Sequence, residues 1–158
     1  MPMIDVYAAA GTFPDQHALA QKLATELMTI EQVPDIPMFR KNTAAFIHEL
    51  PPSGLSNVDG DTTYVRVQVL TNAGALDRDK QLAVVGRLTA LVVEAAGDPS
   101  LADRTWVLLT EAPDGGWVSP DTRTRTPSSS RRPAPRSPNC NRRNPTVSRV
   151  QRLGDDPT

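Results

Sequence analysis

The residues that could do chemistry are few and lie far apart in the chain. Met1-Pro2-Met3-Ile4 opens it with an apolar strand in which Pro2 becomes the amino terminus once Met1 is removed, as expected before a residue as small as proline. A terminal proline is a secondary amine, and that amine can be a base; the same dipeptide can also be a plain strand start, where the missing N–H costs nothing. Arg40 and Lys41, in Phe39-Arg40-Lys41-Asn42, are cations that could tune such an amine. His48 and Glu49 resemble an acid–base pair, but neighbours in a strand face opposite sides of a sheet and cannot act on one substrate atom. His48 therefore reads as structural. Tyr7 could donate to a substrate oxygen, although a strand tyrosine more often packs with its hydroxyl at an edge. His17 is the other histidine and Cys140 the single cysteine; they form no metal-spaced cluster, and there is no phosphate-cradling glycine loop or dinucleotide fingerprint.

The elements that must position these residues come from an internal repeat. Ile4-Asp5-Val6-Tyr7, Gly11-Thr12-Phe13-Pro14-Asp15, an amphipathic segment and Phe46-Ile47-His48-Glu49-Leu50-Pro51 recur in order as Val67-Gln68-Val69-Leu70, Gly74-Ala75-Leu76-Asp77, a second amphipathic segment and Leu108-Leu109-Thr110-Glu111-Ala112-Pro113. Gly11 and Gly74 are 63 residues apart, as are Asp35 and Asp98, while Glu49 and Glu111 are 62 apart, so one single-residue gap aligns two units of about 2–52 and 64–114. In the first unit Pro14 suits an opening helical turn, and Leu19, Leu23 and Leu27 with Ala20, Ala24 and Met28 make one apolar stripe. In the second, Asp77 is the expected N-cap and Gly97 the left-handed C-cap, with Leu82, Val85, Leu88, Leu91, Val92 and Ala95 as the stripe. Tyr64 to Leu70 and Thr105 to Thr110 are strand-like in composition. A strand–helix–strand unit of this length makes a right-handed crossover between parallel strands. Two units predict an α+β fold, a four-stranded sheet with two helices on one face.

A duplicated β-α-β unit behind a proline at the mature amino terminus resembles the tautomerase superfamily, in the long form that looks like two fused 4-oxalocrotonate tautomerase-like subunits. The resemblance covers residues 2–117. It rests on Pro2, the Gly11 and Gly74 turns, the Val107-Leu108-Leu109-Thr110-Glu111 strand and Gly115-Gly116-Trp117. It implies a cofactor-independent isomerase in which the Pro2 nitrogen moves a proton on a small enol or 2-oxo acid. A general base works best with its pKa near the working pH, and an unperturbed prolyl amine is too basic. Met3, Ile4 and Trp117 would supply apolar surroundings and Arg40 or Lys41 a neighbouring cation, both of which favour the uncharged amine. Trp117 is expected to wall off water.

The resemblance also implies an arginine fork for the substrate carboxylate, and here the chain departs from its relatives. Thr12 and Ala75 stand where those chains have arginine after the turn glycine, and Ala44 and Trp106 stand at the strand arginine position. Arg40 is the best replacement, since its place resembles that of an arginine in other tautomerases of the fold. Arg66, on the strand face opposite Val65, Val67 and Val69, points away from the helices and is the second candidate, toward a pocket or a subunit boundary. Hydratase, dehalogenase and decarboxylase relatives share the scaffold and the proline but carry paired arginines where Thr71-Asn72-Ala73 stands here. A noncatalytic, oligomeric ligand-binding protein is the alternative of another class.

Composition changes after Trp117. Residues 118–158 hold nine arginines against three aspartates, a net +6, which leaves −7 on residues 1–117 of a chain whose total is −1. Seven prolines, repeated serines and few aliphatics predict a disordered tail beside one folded domain, 1–117. The tail lacks aromatics for base stacking and the acidic domain would repel phosphate, so no nucleic-acid partner is expected. Restoring one guanine after the Trp117 codon, with GC-rich codons, lets the segment decode as GVTGHANTNAELVAAARAEIAKLQ, a glycine-punctuated turn and an alanine-rich helix, and this predicts a frameshift. Neither a bilayer-length apolar run nor a signal-like start is present, so the cytoplasm is expected. A sheet covered on one face predicts self-association, and the resemblance implies a homotrimer.

Overall fold

The structure, a computed structural model, describes residues 2–113 with Gly115 and Gly116. Trp117, the tail and the reading-frame prediction lie outside the described residues. The element order is β1 (Met3–Ala9), α1 (Gln16–Glu31), α2 (Pro37–Asn42), β2 (Ala44–Leu50), β3 (Val65–Asn72), α3 (Arg78–Ala96), a 3-10 turn (Pro99–Ala102) and β4 (Thr105–Ala112). The sheet order is β2-β1-β3-β4, with β1 parallel to β2, β3 parallel to β4, and β1 antiparallel to β3 at the centre. Each repeat unit thus makes its own parallel pair, and the two units meet back to back.

Alternation along the strands fixes which side is covered. Ile4, Val6 and Ala8 of β1 and Val65, Val67 and Val69 of β3 are buried against Leu19, Leu23 and Leu27 of α1 and Val84, Leu88 and Val92 of α3. Intervening residues face the open side, where Phe46, Trp106 and Leu108 are exposed. Lys22 to Glu94 and Arg87 to Glu26, at 2.7 and 2.8 Å, tie the two helices along their outer edge.

Caps set the helix bounds. Asp15 accepts from the Ala18 amide and Asp77 from the Lys80 amide, both at 2.9 Å; α3 ends on left-handed Gly97, as expected. The α3 stripe differs from the expected one: Leu82 and Val85 are exposed, and the buried line is Val84-Leu88-Val92, one residue away in phase. Leu88 and Val92 belong to either line, so the pattern admits both, and packing against α1 selects the one holding Val84. The connection α1–β2 carries α2 and that of α3–β4 the 3-10 turn, neither read from the sequence. In the first an Asp35–Arg40 pair at 3.1 Å, in the second an Asp98–Arg104 pair at 3.0 Å, closes the connection.

Candidate active site

Pro2 immediately precedes β1 and is buried, under 2% exposed. Met3 pairs with Ala44 of β2 and with Leu70 of β3, so the ladder ends there and the next residues out, Thr43 and Thr71, flank Pro2 on its two sides. Both threonines are buried. Thr71 Oγ1 donates to the Asn72 carbonyl at 3.3 Å, whereas Thr43 Oγ1 is buried with no partner among the described residues.

Above this end of the sheet lies Glu31, the last residue of α1. It occupies the position that continues Leu19-Leu23-Leu27 at four-residue spacing, which turns it inward to 9% exposure. Its Oε1 is the other buried side-chain atom without a partner among the described residues. Burial pushes the Glu31 carboxyl above its ordinary range, while the positive charges of the amino terminus and Lys80 pull it back. Lys80, in the first turn of α3, donates through Nζ to the Glu31 carbonyl at 3.4 Å. Gln32 then leaves the helix with a left-handed backbone (φ 60°), its amide capping the Met28 and Thr29 carbonyls. Two threonines therefore flank the start of β1, and a buried carboxyl lies close enough to the amino-terminal and Lys80 charges to feel both. Sequence reasoning missed all four. The signals were present, since Glu31 follows the leucine spacing by one step and Thr71 follows Val65-Val67-Val69 by one step.

The expected carboxylate-binding residues, Arg40 and Arg66, each have a partner within the chain. Arg40, in the last turn of α2, is exposed and donates through Nη1 to both Asp35 carboxylate oxygens at 3.1 and 3.3 Å. It lines an open cavity of about 520 Å³ along the outer side of α1, with His17, Gln21, Thr25, Asp35 and Thr43. Pro2 is not in that wall, but Thr43 belongs to both the wall and the surroundings of Pro2. Arg66 is on the open sheet face opposite Tyr7, five residues from Pro2 along β1, or about 17 Å. Its guanidinium lies over the Tyr7 ring, 5.3 Å from the centroid, and donates to Gln68 Oε1. Tyr7 stacks on His48 at 4.5 Å, and His48 Nε2 meets Asp5 Oδ1 at 2.7 Å. Within one chain Arg66 and Pro2 are on opposite sides of the sheet. His48 is thus held on both sides, by a ring and by a carboxylate.

No helix of the described residues is long and apolar enough to cross a membrane. No family model matches the chain, and no curated protein does. Solved structures do. A fused 4-OT wild type symmetric trimer is 18% identical, with a TM-score of 0.63 over 75% of this chain and 92% of that one. A fused 4-OT asymmetric trimer is 17% identical, with a TM-score of 0.62 over the same shares. A member of the cis-3-chloroacrylic acid dehalogenase family is 18% identical, with a TM-score of 0.60 over 74% of this chain and 79% of its own. The likeness is one of fold: this chain shares the α+β fold of the fused 4-OT and cis-3-chloroacrylic acid dehalogenase family structures.

Proposed function

We propose that this chain is a tautomerase that uses the Pro2 nitrogen, freed by removal of Met1, as general base on a small enol or 2-oxo acid, without a cofactor. The observation that carries the reading is a proline ring buried at the head of β1 in a fold shared with fused 4-OT structures. In the ketonisation of an enol, the nitrogen lone pair takes the hydroxyl proton, the O–H electron pair becomes the carbonyl bond, and the C=C pair takes a proton back from the prolinium onto carbon. Water-poor surroundings favour the uncharged amine that starts this cycle.

Arg40 is the proposed substrate cation, exchanging its solvent-exposed bond to Asp35 for the substrate carboxylate. Thr43 joins its cavity to the proline. Trp117 is proposed to close the apolar side. Arg66 faces the other side of the sheet, so its proposed contribution is to the site of a neighbouring subunit. That fits a homotrimer held through the open face, where Phe46, Trp106 and Leu108 are each more than two-fifths exposed. The fused 4-OT structures are themselves trimers. The proposed compartment is the cytoplasm.

Ketonisation of phenylpyruvate or 2-hydroxymuconate, compared between native protein and Pro2→Ala, tests the assignment. A large loss in the variant is expected. Equal rates would leave the noncatalytic, ligand-binding alternative, and turnover of a haloacrylate or a β-keto acid instead would select the dehalogenase or decarboxylase alternative.

A further inference from the structure

A carboxylate at the last residue of a helix is disfavoured twice over in this chain. The helix C-terminus is the negative end of the macrodipole, α1 has no basic residue in its last turn, and Glu31 is also withdrawn from water. A buried charge in such a place needs an opposite charge close by. Two positive charges act on it. From α3 comes Lys80, whose ammonium is directed to the Glu31 carbonyl rather than to the carboxylate. The other is the amino-terminal charge. Thr43 and Thr71, which flank Pro2 by register, do not titrate at any relevant pH.

We infer that Glu31 is a positioning residue that governs the charge on the processed Pro2 amine, with Lys80 as the opposing cation. The inference deepens the proposed chemistry and rests on Pro2 being the free amino terminus. Loss of Met1 moves the terminal charge one residue along the chain, by no more than about 3.8 Å between Cα atoms, onto a proline that is already buried. An ionised Glu31 then favours the ammonium form, while Lys80 and the dry surroundings favour the free base. The two buried groups titrate as a pair, so the proton leaves the amine in a step that belongs to both. Desolvation of the Glu31 carboxyl, opposed by the amino-terminal and Lys80 charges, is consistent with this coupling. For a general base the consequence is direct. Glu31 sets how far up the pH scale the enzyme must go before its amine is available.

The experiment uses full-length protein shown by intact mass to lack Met1. Its amine is alkylated with iodoacetamide across a pH series, and the amino-terminal peptide is quantified by mass spectrometry. In Glu31→Gln the midpoint of modification should move to lower pH, with at least about a tenfold faster reaction at neutral pH. Lys80→Met should move it the other way. Far-ultraviolet circular dichroism establishes that each variant is folded. Superimposable profiles for native protein and folded Glu31→Gln would overturn the inference; if that variant does not fold, an unchanged profile in Lys80→Met would do so. The readout needs no substrate, so it is separate from the Pro2→Ala rate comparison: a shifted midpoint with no loss of rate in Pro2→Ala would keep the pairing and discard the catalytic role.

Discussion

The amide of Gly11 donates to Glu49 Oε1 at 2.9 Å, and the repeat copies this contact in Gly74 and Glu111 at 3.2 Å. In each unit the glycine turns the chain out of its first strand with a positive φ, 82° and 74°, and the glutamate at the end of the second strand holds the turn. The one-residue difference in spacing between glycines and glutamates is therefore absorbed in the connections, while the contact itself is kept. Glu49→Ala and Glu111→Ala should each cost about 0.5–1.5 kcal/mol. The two sites share no partner, so the double variant should lose the sum. Urea denaturation of the three variants checks this; a double variant no worse than either single one would mean the contacts do not act separately.

Much of the fold was legible for the same reason that contact is. Glycine, aspartate and glutamate recur at nearly constant spacing because they close turns, cap helices and hold connections, and these jobs depend on local geometry that sequence spacing encodes. The site was less legible. Pro2 was found by its position in the chain, but Glu31 looks like an ordinary surface glutamate at a helix end. Only its place four residues beyond Leu27 marks it as inward, and only the approach of α3 supplies Lys80 as its neighbour. Arg40 illustrates the converse. Its cation is readable, but its partner Asp35 and its place on the outer cavity wall depend on α2, a six-residue helix that no periodicity announces.

Glu31 should also make stability depend on pH. Its carboxyl binds a proton more tightly in the folded chain than its ordinary value of 4.5, chiefly because burial penalises the charge. Between that value and the raised one the folded state holds more protons than the unfolded state, so stability falls as pH rises. Below the window the penalty is absent; above it the penalty is complete. Glu31→Gln removes the titrating group, and its melting temperature relative to the native chain should be similar near pH 4 and higher at pH 8. A constant difference across that range would show that Glu31 titrates alike in both states.

Gln32 is the one non-glycine residue with positive φ among the described residues, at the C-cap where α3 has Gly97. A left-handed backbone costs an L-residue about 1–2 kcal/mol, and glycine gives back about 0.5–1 kcal/mol in unfolded-chain entropy. Gln32→Gly should therefore stabilise the chain by about 0.5–1 kcal/mol in urea denaturation. Because the helix end is kept, Glu31 should stay in place, and the alkylation midpoint of the Pro2 amine should not move.

On the open face, Leu108→Lys tests the proposed self-association without touching the core. The residue points away from the helices and is 42% exposed, so in an isolated chain the change should alter stability by no more than about 0.5 kcal/mol. In an assembly packed through that face it would bury three unpaired ammonium groups in a trimer. Sedimentation velocity should show native protein as the larger species and the variant shifted toward monomer. A monomeric native protein would remove the trimer from the proposal and with it any part for Arg66.

The phase of α3 can be settled by a pair of variants on the same helix. If the stripe ran through Leu82 and Val85, truncating Leu82 would open a cavity and Val84 would be the tolerant position. The observed packing reverses this, since Val84 is wholly buried and Leu82 is 56% exposed. Val84→Ala should cost about 1–3 kcal/mol through lost apolar burial and the space left behind. Leu82→Ala should stay within about 0.5 kcal/mol, because alanine's helix propensity offsets what little contact is lost. The comparison also bears on the site, because the same rotation of α3 carries Lys80 toward Glu31. Were Leu82 the costly position, Lys80 would turn away from the Glu31 carbonyl, and the charge arrangement around Pro2 would lose its cation.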